Sequence, residues 1–242
     1  SPLPTMDRLE CERPFTDVIF DESKVKKAID SLKWDTSPGP DGISARMLKN
    51  LKEQLSNPIA VILNKTMSGD PIPRQWKQSN VCAIFKKGKR SEPSNYRPVA
   101  MESLFCKIGE KILKTAILEH LLENSMIQPS QHGFLPGRST TTNLLEYLDA
   151  VTTETDQGNT VCAIYTDYTK CFDRIPHDLL LHKLRNRYRV VGNVANWIED
   201  WLSERRQRVI LNGEASEFID VTSGVIQGST LGPILALMML DS

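Results

Sequence analysis

The sequence predicts an α+β fold in which antiparallel strands are set among long helices. Three observations carry that prediction. The stretch "SLFCKIGEKILKTAILEHLLENS" (103–125) places Leu104, Ile108, Ile112, Ile117 and Leu121 on one helical face, with Ser103 as its cap. "RQRVILNGEASEFIDVTSG" reads as two strands around the turn signal Asn212-Gly213. "SNVCAIFKK" and "NTVCAIYTD" read as apolar strands among the helical segments.

Residues 1–23 form an irregular lead-in, and from Ser23, as a cap, "SKVKKAIDSLKW" puts Val25, Ala28, Ile29 and Leu32 on one face. "DTSPGPDG" breaks that helix, because two prolines and two glycines in so short a span cannot stay helical. Helical spacing resumes through Met47, Leu48, Leu51 and Leu55, and Pro58 is expected to start a second helix ending near Met67. A helix over "TTTNLLEYLDAVTTETDQG" ends at Gly158; another is expected from Asp178 to Tyr188. "NVANWIEDWLSER" is amphipathic through Val194, Trp197 and Trp201, and a Gly-rich loop then leads into the apolar helix of "GPILALMMLDS".

A chain of 242 residues, 40% hydrophobic and 25% charged, has the composition of a globular protein with a useful core. No apolar run approaches the ~20 residues of a membrane-spanning helix, and no membrane partner is expected. "SPLPTMDRLECERPF" lacks the features of a signal peptide and looks like a cut from a longer chain. Lys plus Arg and Asp plus Glu both total 30, so net charge does not decide for or against nucleic acid. Locally, "RQWKQSNVCAIFKKGKR" carries Arg74, Lys77, Lys86, Lys87, Lys89 and Arg90 with no acid, which suits phosphate attraction. A second basic region, from Lys183 to Arg189 and then Arg205, Arg206 and Arg208, reads as solvated surface. The five cysteines form no C-x-x-C pair, Cys82 and Cys162 are expected to be buried, and the set points to a reducing compartment without zinc. Any metal would be held by carboxylates.

Asp167 closes the apolar run Val161–Ile164. Taken alone it reads best as the cap of the next helix or turn. Held rigidly at a strand end, it could instead bind one ion of a two-metal nucleotidyl-transfer site, where ions sit ~4 Å apart.

Its neighbours shift that balance. "TDYTKCFD" (166–173) resembles the first catalytic motif of reverse transcriptases, and is most similar to the non-LTR (LINE-type) retrotransposon group. The resemblance makes Asp167 the first metal-binding carboxylate and puts Phe172 at the sugar-gate position, where its ring would clash with a ribose 2′-hydroxyl. Asp173 would be structural, through a hydrogen bond or cap. Other stretches match in the family's order. "SPGPDGIS" resembles the motif that approaches the template, through Gly39 and Asp41. "IFKKGK" and "NYRPVAMESLFCKIGEKIL" resemble the fingers, where Lys86, Lys87 and Arg97 would face the nucleotide triphosphate. A buried structural ion pair is an equal reading of Arg97. "QHGFLPGRSTTTNLL" resembles the motif along the template path, with Gly133, Gly137 and Arg138; a turn capped by Ser139 serves equally there. "SGVIQGSTLGPIL" resembles the motif supporting the templating base and nascent pair, with Gln227 and Gly228.

The resemblance runs from about residue 31 to the end. It implies a right-hand polymerase: fingers over 31–158 and a partial palm over 159–242, behind a lead-in of 1–30. It further implies an RNA-directed DNA polymerase that uses Mg²⁺ (or Mn²⁺), an RNA template, a DNA primer and dNTPs, inside the cell in nucleus and/or cytoplasm. Two departures stand out: Ile226 where the family has Pro, and "PILALMMLDS" in place of a Leu/Phe/Tyr-rich segment. The family's second catalytic motif, an aromatic followed by Ala-Asp-Asp, does not occur in the 242 residues. The remaining metal ligands are therefore expected outside this chain, and the chain alone is not expected to polymerise. The alternatives are a non-catalytic nucleic-acid-binding remnant or domesticated scaffold, and a fragment that needs another segment to fold.

Overall fold

The computed structural model describes residues 11, 13–168 and 171–241. Eight α-helices and one five-stranded sheet are found among them. The N-terminal helices are α1 (Glu22–Asp30), α2 (Ala45–Asn50) and α3 (Lys52–Met67). Strands β1 (Gln78–Phe85) and β2 (Tyr96–Glu102) then lead into α4 (Leu104–Glu123) and α5 (Thr140–Asp156). Next come α6 (His177–Asn186), α7 (Gly192–Leu202), β3 (Arg205–Leu211), β4 (Glu214–Ala215), β5 (Ile219–Val221) and α8 (Gly232–Leu240).

Strands β1 and β2 are antiparallel, from Ser79 opposite Glu102 to Phe85 opposite Tyr96. Against the expectation of antiparallel pairing throughout, β1 and β3 run parallel, with Val81 opposite Val209. A parallel pair needs a long crossover, and the whole stretch from α4 to α7 supplies it. Asn212 (φ 52°) and Gly213 (φ 85°) both take the left-handed conformation of a two-residue hairpin, as the turn signal required. The second strand is split: β4 and β5 each pair with a different half of β3.

One hydrophobic core runs through the fold. Phe20, Val25, Ile29, Leu48 and Leu63 pack in the same cluster as Leu113, Trp197, Trp201 and Ile234. The five α4 residues expected to face inward are all buried. Asn64 stitches the lead-in to α3: it donates to the Phe20 carbonyl at 2.7 Å and accepts from the Phe20 amide at 2.9 Å.

Several local expectations are corrected. Asp21, not Ser23, caps α1, accepting from the Lys24 amide at 2.8 Å while Ser23 lies in the first turn. A carboxylate two residues earlier is the better acceptor for those orphan amides. Pro58 lies inside α3, which begins at Lys52; burial of Ser56, Ile59, Ala60 and Leu63 outweighs the amide bond lost there. Ser103 precedes α4 but makes no side-chain cap bond. Cys82 is exposed because it points to the open face of β1.

The largest correction concerns "NTVCAIYTD". Residues 159–168 form no strand, Ile164 is 84% and Tyr165 81% exposed, and Cys162 is exposed with them. A strand is stabilised by its partners, and no described strand pairs with this segment. Helix α5 shares that condition: it has no buried residue, and Leu144, Leu145 and Leu148 are exposed. It is nonetheless capped as expected, through a reciprocal box between Ser139 and Thr142.

Candidate active site

The β1–β2 turn carries the first group of candidate residues. The Lys86 amide donates to the Asn95 carbonyl at 2.9 Å, closing the turn and leaving the Lys86 and Lys87 side chains exposed. Arg97 stands exposed on β2 opposite Ile84, and its side chain makes no hydrogen bond or ion pair with the described residues. The buried-ion-pair reading of Arg97 therefore falls. Lys77 takes that kind of role instead, buried with its ammonium 2.6 Å from Asp200. The second basic region is also partly structural, since Arg205 is buried and Arg187 pairs with Asp241.

The loop between β5 and α8 is fastened on two sides. On one side, the Val225 amide donates to the Phe172 carbonyl and the Gly224 amide to the Ile175 carbonyl, both at 2.8 Å. Gly224 has φ +86°, and a Cβ there would lie 2.7 Å from the Phe172 oxygen, so only glycine permits the approach. On the other side, the Ala100 amide of β2 donates to the Gln227 carbonyl at 2.8 Å. Gly228 has φ +124° and comes so close that a Cβ would sit 2.6 Å from the Ala100 oxygen. Three segments distant in sequence thus meet around a cavity of about 320 Å³, whose lining includes Ser79, Pro98, Asp173 and Gln227.

Phe172 is half-buried and meets Phe134 edge-on, with ring centroids 6.2 Å apart. Asp173 is exposed; its backbone carbonyl accepts from Ser223 Oγ at 3.2 Å, and its carboxylate makes no hydrogen bond or cap with the described residues. Asp167 is exposed on the extended segment, and its charge, after burial, helps push the Cys171 thiol upward. Thr169 and Lys170 of the same motif lie outside the described residues. Lys86, Lys87, Arg97 and Asp167 do not line the 320 Å³ cavity.

The residues assigned to the template path are spread along the fold. Gly39 presses on the end of β2, where a Cβ would meet the Glu102 carbonyl carbon at 2.5 Å. The Asp41 carboxylate accepts from the Ile43 amide at 3.1 Å, a local turn bond. Gly137 has φ +71° with open space around its Cα, Gly133 is exposed, and Arg138 donates back to the Pro129 carbonyl.

Sequence reasoning missed a buried polar cluster behind the loop. Glu102, Cys106 and Glu110 lie close enough together to share an ion, the one such group among the described residues. Its surroundings do not suit a cation. Both Glu110 oxygens are occupied by donors: Trp201 Nε1 at 2.9 Å, Cys106 Sγ at 3.5 Å, and the Thr230 and Leu231 amides at 2.9 and 3.2 Å. The Arg205 guanidinium stands 3.7 Å from Glu102. Burial, and then the Glu110 charge, pushes the Glu102 carboxyl well above the ordinary carboxylate range; burial likewise raises the Cys106 thiol. The available signal was an acid at position 110, in step with the apolar face of α4.

The family model for reverse transcriptase (RNA-dependent DNA polymerase) matches residues 84–242. The chain belongs to the reverse transcriptase family. Its similar proteins come from non-LTR retrotransposons. It is 29% identical over 213 residues to the probable RNA-directed DNA polymerase from transposon BS of Drosophila melanogaster, covering 88% of this chain and 23% of that protein. To the RNA-directed DNA polymerase from mobile element jockey, also of Drosophila melanogaster, it is 26% identical, covering 92% of this chain and 24% of that one. The Pol polyprotein of the R2 element of Popillia japonica is 26% identical over 86% of this chain and 28% of its own length. The chain thus spans about a quarter of the length of these relatives. Reverse transcriptases generally use divalent metal ions. Among the described residues, Asp167 is not part of a cluster of three or more closely placed ligand side chains.

Proposed function

We propose that this chain is the fingers and part of the palm of a right-hand polymerase that copies RNA into DNA. The observation that carries the reading is the convergence of the Phe172 segment, the 224–228 loop and β2, held by backbone bonds from Val225 to Phe172 and from Ala100 to Gln227. That arrangement fixes the Phe172 backbone against a loop held by glycines, with the half-buried Phe172 ring lying toward Phe134 and α8. A loop backbone so fixed can support a base pair. In this reading Phe172, Gln227 and Gly228 contact the nascent pair, and the cationic turn of Lys86 and Lys87 with Arg97 attracts the triphosphate. Gly39, Asp41, Gly133, Gly137 and Arg138 border the template. Asp167 supplies one carboxylate to Mg²⁺ or Mn²⁺. Magnesium is bound through one or two carboxylates together with substrate phosphates, so Asp167 alone holds it weakly. The five free thiols among the described residues fit action in a reducing compartment, nucleus and/or cytoplasm.

Two measurements test this. Primer extension on an RNA template with Mg²⁺ is expected to give no cDNA from the isolated chain, and robust synthesis would overturn the assignment of an incomplete metal site. Fluorescence anisotropy with a labelled single-stranded RNA is expected to show salt-sensitive binding, with a log–log slope of about −0.7 per phosphate neutralised. Replacing Arg138, the cation that borders the template in this reading, by Gln should then flatten the slope by roughly 0.7 units. No RNA binding at low salt would sink the polymerase reading. Binding unaffected by that change would favour a nucleic-acid scaffold that contacts RNA elsewhere.

A further inference from the structure

We infer that Glu110 is a positioning residue that sets the Gln227–Gly228 loop against the rest of the fold, by capping α8 from a helix 120 positions away in sequence. The inference rests on the proposed role of that loop in supporting the nascent pair.

Helix α8 begins without a side-chain bond at its N-cap, Leu231. Its first amides need acceptors nonetheless, since the opening turn of a helix leaves its amides without intrahelical partners. Ser229 Oγ accepts from the Gly232 amide at 2.9 Å. The Thr230 and Leu231 amides both donate to Glu110 Oε2. A carboxylate at that point also meets the favourable end of the helix dipole. The other oxygen, Oε1, accepts from Trp201 of α7 and from Cys106. One buried side chain on α4 therefore ties together α4, α7 and the loop before α8.

The chemistry requires a carboxylate. All four partners are donors, so both oxygens must accept. A glutamine would turn an NH₂ either toward the two amides or toward Trp201 and Cys106, leaving buried donors unpaired on that side. Two residues before Thr230 is Gly228, already pressed on Ala100, and Gln227 is bonded to the same residue. The loop is thus clamped at both ends, to β2 and to α4, and Glu110 acts on it only through the backbone of Thr230 and Leu231.

Hydrogen exchange by mass spectrometry on the full chain tests this. Glu110→Gln should raise exchange across residues 225–232 about tenfold, while α1, α3 and α6 keep their protection. Trp201→Phe removes the indole donor and some buried ring volume in α7 but leaves Oε2 to the Thr230 and Leu231 amides, and should leave the loop protected. Unchanged protection of 225–232 in a folded Glu110→Gln chain would overturn the inference, as would a Trp201→Phe chain whose loop loosens to the same degree. Should Glu110→Gln fail to fold, Glu110→Asp keeps the charge but shortens the reach, and must loosen 225–232 selectively; unchanged protection there refutes the inference. RNA anisotropy on the unmutated chain separates the two readings. A loosened loop with no RNA binding by the wild type overturns the polymerase reading and leaves the capping role standing. RNA binding together with an unmoved loop does the reverse.

Discussion

Single residues decide how closely the segments of the site approach. Gly228 combines a positive φ with a Cβ position 2.6 Å from the Ala100 oxygen, whereas Gly137 has a positive φ in open space. Gly137→Ala should therefore cost about 1–2 kcal/mol, the left-handed backbone penalty alone. Gly228→Ala should cost more, because backbone must also move, and urea unfolding of the two variants gives the comparison. Glu102 sets a pH dependence. Its carboxyl is pushed well above the ordinary range, first by burial and then by Glu110, so the folded chain holds this proton where the unfolded chain has released it. Its contribution is present below the ordinary carboxylate pKa of 4.5 and is lost as pH rises toward the folded value. Glu102→Gln should flatten that fall in a stability profile measured from pH 4 upward, and an unchanged profile would contradict the assignment. The Gly-rich turn and the Q-G pair were legible in the sequence, since a positive φ has few occupants. The Glu102–Arg205 and Glu110–Trp201 contacts were not, because partners so far apart along the chain leave no local pattern.

At the scale of elements, α4 and α5 look alike in sequence and differ in the fold. Both are apolar and periodic, yet α4 has ten buried residues and α5 none. Leu113→Ala in α4 should cost about 2–5 kcal/mol through the lost contacts and the cavity left behind. Leu144→Lys in α5 should stay within about 0.5 kcal/mol, as at an exposed site. Thermal or urea unfolding of the pair checks both, and equal losses would mean that α5 is packed in solution. Periodicity reports that a helix has an apolar face; what covers the face is a tertiary matter. The same reasoning explains the failed strand at 159–167, whose apolar alternation requires a neighbour to become a ladder. The cap at Ser139 and the hairpin at Asn212-Gly213 were read correctly because each is satisfied within a few residues.

For the whole molecule, the hydrophobic cluster joins the lead-in at Phe20 to α8 at Met238. A chain with one such core should unfold in a single transition. Tryptophan fluorescence and far-UV circular dichroism should therefore give coincident urea midpoints, and two separated transitions would show that the segments fold independently. The sequence by itself determined the family, the order of the motifs, the ends of most helices and the chemistry of the candidate residues, because these depend on residue type and short spacing. Tertiary structure alone decided that β1 and β3 run parallel, that Lys77 and Arg205 are buried while Arg97 is exposed, and that Glu110 holds the start of α8. Pairing direction, burial and the partner of a buried charge are set largely by groups far away along the chain, and only the folded chain brings them within bonding distance.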